Sequence, residues 1–181
     1  MRLLLFSFQE VIKMVETTNT IQCKSLWDES RQNRFLFEKV WDSKKDRLLV
    51  ISKSAGIDDG VEQTVTQLII TNNLSELGYG GFTLCNLVSD FSGKSKKINS
   101  ENSKLLSEQL KSKDFSGIVI CWGSHDKFPD YLKQEAEKVL EAIKKSKREN
   151  VFRITDGVTT GFCHPLSPRV RNNFLLAKVQ L

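Results

Sequence analysis

The sequence predicts an α/β protein, a three-layer α/β/α sandwich around a mainly parallel central sheet of four strands. Two observations point there. Four apolar runs of strand length, 47–52 (RLLVIS), 82–88 (FTLCNLV), 117–122 (GIVICW) and the weaker 151–155 (VFRIT), are continuous rather than alternating, as strands covered on both faces are. Helical patterns separate them, and repeated strand–helix–strand units build layered α/β folds. The length, 181 residues with 39% hydrophobic composition, suits one core that needs no disulfide or metal staple.

Each element follows from its residues. Phe35 to Trp41 reads as an additional edge strand. Val61, Val65, Leu68, Ile69 and Leu77 make a stripe for a first helix, opened by the capping pair Asp59 and Glu62 and closed by Gly78. A shorter helix is expected over 101–111, with Leu105, Leu106 and Leu110 inward. The strongest helical pattern covers 129–147: Leu132, Ala136, Val139, Leu140 and Ile143 share a face, Pro129 suits a first turn, and the lysine-rich end complements the helix dipole. The polar stretch 92–103 reads as a surface loop, while 169–181 permits either helix or strand. Residues 1–30 carry little pattern and read as an N-terminal extension, in which Met14 offers an alternative start, with 31–181 as a single domain.

Charge and cysteine usage narrow the partners. Twenty-seven Lys and Arg against 22 Asp and Glu leave a net charge of +5, a modest basicity spread along helix faces. Duplex DNA binding is therefore expected to be weak at most. The four cysteines, Cys23, Cys85, Cys121 and Cys163, form no Cys-x-x-Cys pair, which fits reduced thiols in a cytoplasmic protein and indicates no metal or cofactor. No apolar run approaches the ~20 residues of a membrane-spanning helix, so no membrane partner is expected.

Chemistry in an open parallel sheet sits beyond the carboxyl ends of its strands. The residues there are Ser52, Lys53, Ser54, Asp58 and Asp59 after the first run, Asn86 at the end of the second, Trp122, Gly123 and Ser124 after the third, and His164-Pro165 after the fourth. Asp59 serves two readings, helix cap and general base. Asn86 can pair with a base edge or bond backbone at a strand end. Trp122 can fill core or stack on a base, and the stiff His-Pro dipeptide fixes the direction of an imidazole.

The segment 34–166 resembles the bacterial and phage DUF1643 proteins through Arg34-Phe35, Trp41, Ser52-Lys53-Ser54-Ala55, Thr64, Gly78-Tyr79-Gly80-Gly81, Asn86-Leu87, Trp122-Gly123 and His164-Pro165-Leu166. The same skeleton is similar to the uracil-DNA glycosylase superfamily. That likeness implies a glycosylase-like sandwich in which Asn86 reads a base edge, His164 polarises the base, Trp122-Gly123 ends an apolar strand, and the first motif positions water. The first motif here is Ser52-Lys53-Ser54, which leaves the water to Asp58 or Asp59.

A nucleobase, a nucleotide or a single flipped DNA base is the expected partner. Two versions stand: hydrolysis of an N-glycosidic bond in a modified nucleotide or DNA base, and a catalytically silent nucleotide-binding protein holding phosphate with Lys53, Ser54 and the backbone at 60–62. A purely protein-binding module would leave the four strand-end motifs unexplained. The sequence does not fix the oligomeric state.

Overall fold

A computed structural model describes residues 14–57 and 59–180. The expected Asp58 and the possible extension at 1–13 lie outside the described residues. The chain forms one seven-stranded sheet with four α-helices among those residues: β1 (Gln22–Trp27), β2 (Arg34–Val40), β3 (Arg47–Ser54), α1 (Val65–Glu76), β4 (Gly81–Val88), α2 (Ser100–Lys111), β5 (Gly117–Ile120), α3 (Asp130–Lys145), β6 (Val151–Thr155), α4 (Pro168–Asn172) and β7 (Leu175–Lys178).

The order across the sheet is β1-β2-β4-β3-β5-β6-β7. The expected four-stranded, mainly parallel sheet is corrected to a mixed sheet of seven. Its parallel pairings are β3 with β4, β3 with β5 and β5 with β6; the pairings of β1 with β2, β2 with β4 and β6 with β7 are antiparallel. The apolar runs thus mark the interior strands, and the antiparallel strands flank them. β2 is not an edge strand, because β1, from the weakly patterned first 30 residues, pairs outside it. β1 escapes a hydrophobicity reading because its side chains are mostly exposed. The open choice at the C-terminus resolves into both elements, the short α4 and then β7.

Alternation along the strands sends side chains to two cores. Leu49 and Ile51 of β3, with Cys85 and Leu87 of β4, pack under Leu106 and Leu110 of α2 and Leu132, Ala136, Val139 and Ile143 of α3. Leu48 and Val50 of β3, with Phe82 and Leu84 of β4, face Ile70 and Leu74 of α1 and Val170 of α4. Helices therefore cover both sides of the sheet.

The first helix differs most from expectation. It begins at Val65 behind Thr64, whose hydroxyl accepts from the Gln67 N–H. Asp59 instead accepts from the Val61 and Glu62 N–H groups in a turn ahead of the helix. The inward face is Gln67, Ile70 and Leu74, whereas Val61, Val65, Leu68 and Leu77 of the expected stripe are exposed. Among the described residues no helix is long and apolar enough to cross a membrane.

The turn 78–81 meets the β2–β3 connection at backbone range. The Trp41 and Asp42 N–H groups donate to the Gly80 carbonyl, Gly80 N–H donates to Asp46, and the Trp41 indole N–H donates to the Tyr79 carbonyl at 2.9 Å. A Cβ on Gly80 would run into the Asp42 carbonyl and approach the Lys45 Cβ to 2.8 Å. Gly78 has φ +89° with open space around its Cβ position. Gly80→Ala is therefore expected to cost about 3 kcal/mol, a drop in Tm of roughly 6–12 °C, and Gly78→Ala only about 1 kcal/mol. Thermal unfolding of the two variants checks this ranking; equal losses would show that the close approach at Gly80 relaxes freely.

Candidate functional site

The carboxyl ends of β3 and β5 and the loop after β6 converge on one rim. Gly123 has φ +87°, a left-handed conformation that suits glycine, and its N–H donates to the Cys163 carbonyl at 3.2 Å. A Cβ built on Gly123 would lie 3.5 Å from the His164 Cβ. The β5 end is thereby latched to the histidine loop. The loop is fixed from its other side as well: Arg153 donates to the Thr159 and Gly161 carbonyls, and Ser167 N–H donates to the His164 carbonyl at 2.9 Å. Pro165 is buried beneath this turn.

His164 is half-buried, and its Nδ1 accepts from the Leu166 N–H at 3.2 Å. That bond assigns the proton of the neutral ring to Nε2, which leaves an N–H donor directed away from its own turn. Burial, and then the positive charge of Lys53, lower the imidazole below its ordinary pKa. Lys53 is exposed, with its Nζ 6.0 Å from the centroid of the Phe128 ring. Trp122 is 1% exposed and meets Phe162 edge-on at 5.3 Å, and its indole N–H has no partner. His125 lies 5.9 Å from the same Phe162 ring. The rim thus offers a neutral imidazole donor and an ammonium, with aromatic rings beside them.

Asn86 is placed differently. It is 1% exposed; its Nδ2 donates to the Ser54 carbonyl at 2.8 Å, and its Oδ1 accepts from the Arg34 guanidinium at 3.2 Å. The Asn102 side chain of α2 donates to the Asn86 carbonyl at 2.8 Å. The amide expected to read a base is therefore a brace between strands. Ser52 is buried, and its hydroxyl hydrogen-bonds the Cys121 thiol. Ser54 is exposed at the rim.

Asp59, expected as a water-orienting base, does not join His164. The connection after β3 runs toward β1: a Cβ on Gly60 would come 2.7 Å from the Cys23 Cβ, and the Cys23 thiol feels the Asp59 charge. Since β1 and β5 lie on opposite sides of β3 in the sheet order, Asp59 leaves the rim. Its carboxyl, exposed and bonded to the Glu62 and Val61 amides, is held below the usual carboxylate range.

Three buried polar residues were not expected as site residues. Arg34 is fully buried at the start of β2, Lys39 is 3% exposed and donates to Gln63 Oε1 at 2.8 Å, and Gln67 of α1 is fully buried. Arg34 opens the family signature, which was its only signal. Gln67 sits three and seven positions before Ile70 and Leu74, a spacing that marks an inward side chain, but the brighter Val61–Leu77 stripe masked it. Among the described residues no cluster of three or more His, Cys, Asp or Glu is arranged to hold a metal ion.

The family model for proteins of unknown function termed DUF1643 matches residues 34–166, which is 133 of the 181 residues. The chain belongs to the DUF1643 family. The matched span of this DUF1643 protein begins at the buried Arg34 and ends at Leu166, whose N–H fixes the His164 tautomer. No curated protein and no solved structure matches the chain significantly.

Two predictions follow from these environments. A histidine with a lowered folded pKa binds its proton less readily than the unfolded chain does, so its contribution is intact above about pH 6.5 and is lost as pH falls below that value. Wild type is expected to lose more stability between about pH 7 and 5 than His164→Asn, whose Oδ1 can replace Nδ1 as acceptor; parallel denaturation curves at each pH would refute the assignment. Burial pushes the Cys85 and Cys121 thiols up to about 12, and Cys163 is buried too, whereas Cys23 is exposed. Thiol labelling of native protein should give one fast modification at Cys23 and three that wait for unfolding.

Proposed function

We propose that this chain recognises a nucleobase or nucleotide at the rim formed by the ends of β3 and β5 and the His164 loop. The observation that carries the reading is the pairing of a neutral His164, its Nε2–H free to donate, with the ammonium of Lys53. A base carbonyl accepts from the imidazole, and a phosphate is drawn to the lysine. The Phe128 and Phe162 rings border the site. The adjacent parallel strands β4, β3, β5 and β6, with these groups at their carboxyl ends, also support the resemblance to the uracil-DNA glycosylase superfamily.

Binding without bond cleavage is the stronger version. Hydrolysis needs a base that holds water on the sugar side; of the two acids expected for it, Asp58 lies outside the described residues and Asp59 is committed to its own turn on the β1 side of the sheet. The hydrolytic version draws its support from His164, since a neutral N–H donor stabilises negative charge on a departing base.

Calorimetric titration with nucleoside monophosphates and free bases tests the reading. At least one is expected to bind, with Lys53→Ala and His164→Ala each weakening it about tenfold, or ~1.4 kcal/mol. Absence of binding, or binding indifferent to both substitutions, overturns the proposal. Release of free base from uracil-containing oligonucleotides, abolished in His164→Ala, would establish the hydrolytic version instead.

A further inference from the structure

We infer that Gln67 is the base-reading amide of the nucleotide site, a role for which Asn86 is already spent. The inference rests on the nucleotide-binding reading and names the residue that gives it specificity. Gln67 is fully buried, and neither its Nε2 nor its Oε1 has a hydrogen-bond partner. Leaving both ends of an amide unsatisfied in the interior costs free energy that a leucine or methionine of similar size would not. An orphaned buried amide calls for a physical explanation, and a partner that arrives from outside supplies one.

Its position in the fold says which partner. α1 returns from the carboxyl end of β3 to the amino end of β4, so its first turns lie over the carboxyl ends of the strands. Ile70 and Leu74 share one core with Val50 of β3 and Leu84 of β4. Gln67, one turn earlier on the same face, lies toward Ser52 and Asn86, which follow Val50 and Leu84 by two residues and so point to the α1 side. Ser52 is buried there, while Ser54, two residues further on, is exposed at the rim. Gln67 itself has no exposed surface, so the inferred approach of the ligand runs between Ser54 and the start of α1.

A glutamine amide presents a donor and an acceptor side by side in one plane. Its complement is a planar heterocycle with an adjacent acceptor and donor, the pattern of a nucleobase edge. The Asn86 amide carries the same chemistry, but its donor is engaged by Ser54 and its acceptor by Arg34. Base discrimination therefore falls to Gln67 on the α1 face, while Lys53, which leaves β3 on the other face beside Phe128, and His164 hold the remainder of the nucleotide past the end of the strand.

The experiment measures affinities of the full chain for UMP, CMP, AMP and GMP, each divided by its affinity for ribose 5-phosphate, in wild type, Gln67→Leu and Gln67→Met. Wild type is expected to bind one nucleotide at least tenfold tighter than ribose 5-phosphate, and both variants are expected to lose most of that ratio. Thermal unfolding should show the variants at least as stable as wild type, because the orphaned amide is gone. A ratio that survives in either folded variant overturns the role of Gln67 and leaves the site at Lys53 and His164 standing. A wild type that binds ribose 5-phosphate as tightly as every nucleotide also overturns it. If neither probe class binds wild type, the nucleotide reading itself fails, and this inference with it.

Discussion

The end of β4 is held by one amide that belongs to three partners at once. Asn86 receives the Arg34 guanidinium from β2, gives its own N–H to the Ser54 carbonyl of β3, and lends its backbone carbonyl to Asn102 of α2. A strand that ends inside the molecule must satisfy its polar groups without water, and here a side-chain network does so where the ladder gives out. The consequence reaches the site. β3 leaves the sheet in a fixed direction at Ser54, Lys53 falls on the opposite face beside Phe128, and the rim toward His164 acquires its shape. A buried guanidinium is tolerable only in such surroundings, since an unpaired buried charge would cost far more than the brace returns.

Three acids of the carboxyl-end loops share one arrangement. Asp59 after β3, Asp90 after β4 and Asp156 after β6 each accept backbone N–H groups of the turn that follows, and each is held below the ordinary carboxylate range, Asp156 at about 2. Asp28 does the same in the β1–β2 turn. Hydrogen bonds that favour the charged form make a carboxylate a weak proton acceptor. These aspartates shape loops and are poorly suited to general-base work. His164, with its pKa lowered and one nitrogen tied to Leu166, is the titratable group of the rim whose environment keeps a donor available near neutrality.

The sequence made the interior strands legible because burial on both faces demands unbroken apolar runs, and β3 to β6 meet that demand. β1 did not register and β7 stood only as one of two open readings: each is a flanking strand with few buried side chains, and its pattern is set by the neighbour it pairs with. β2 did register, but nothing in its residues discloses that β1 lies beyond it. In α1, apolar residues occupy the outer face while a glutamine turns inward, which inverts the usual hydrophobic signal. At the site, His164, Lys53, Trp122 and Gly123 were legible because strand-end position alone brings them together. The fate of Asn86 was not, since it depends on Arg34, fifty-two residues earlier.

That contrast carries a physical lesson about chemically identical groups. Asn86 and Gln67 bear the same amide, and both are buried on the α1 side of the sheet, yet one has its donor and acceptor engaged and the other has neither. An engaged amide contributes to stability by holding strands and has little left to offer a ligand. An unengaged one weakens the empty protein and is worth most when a complementary edge reaches it. Specificity at a recognition site is therefore expected at the amide the fold leaves unsatisfied, since only there does the wrong ligand leave a buried group without its partner.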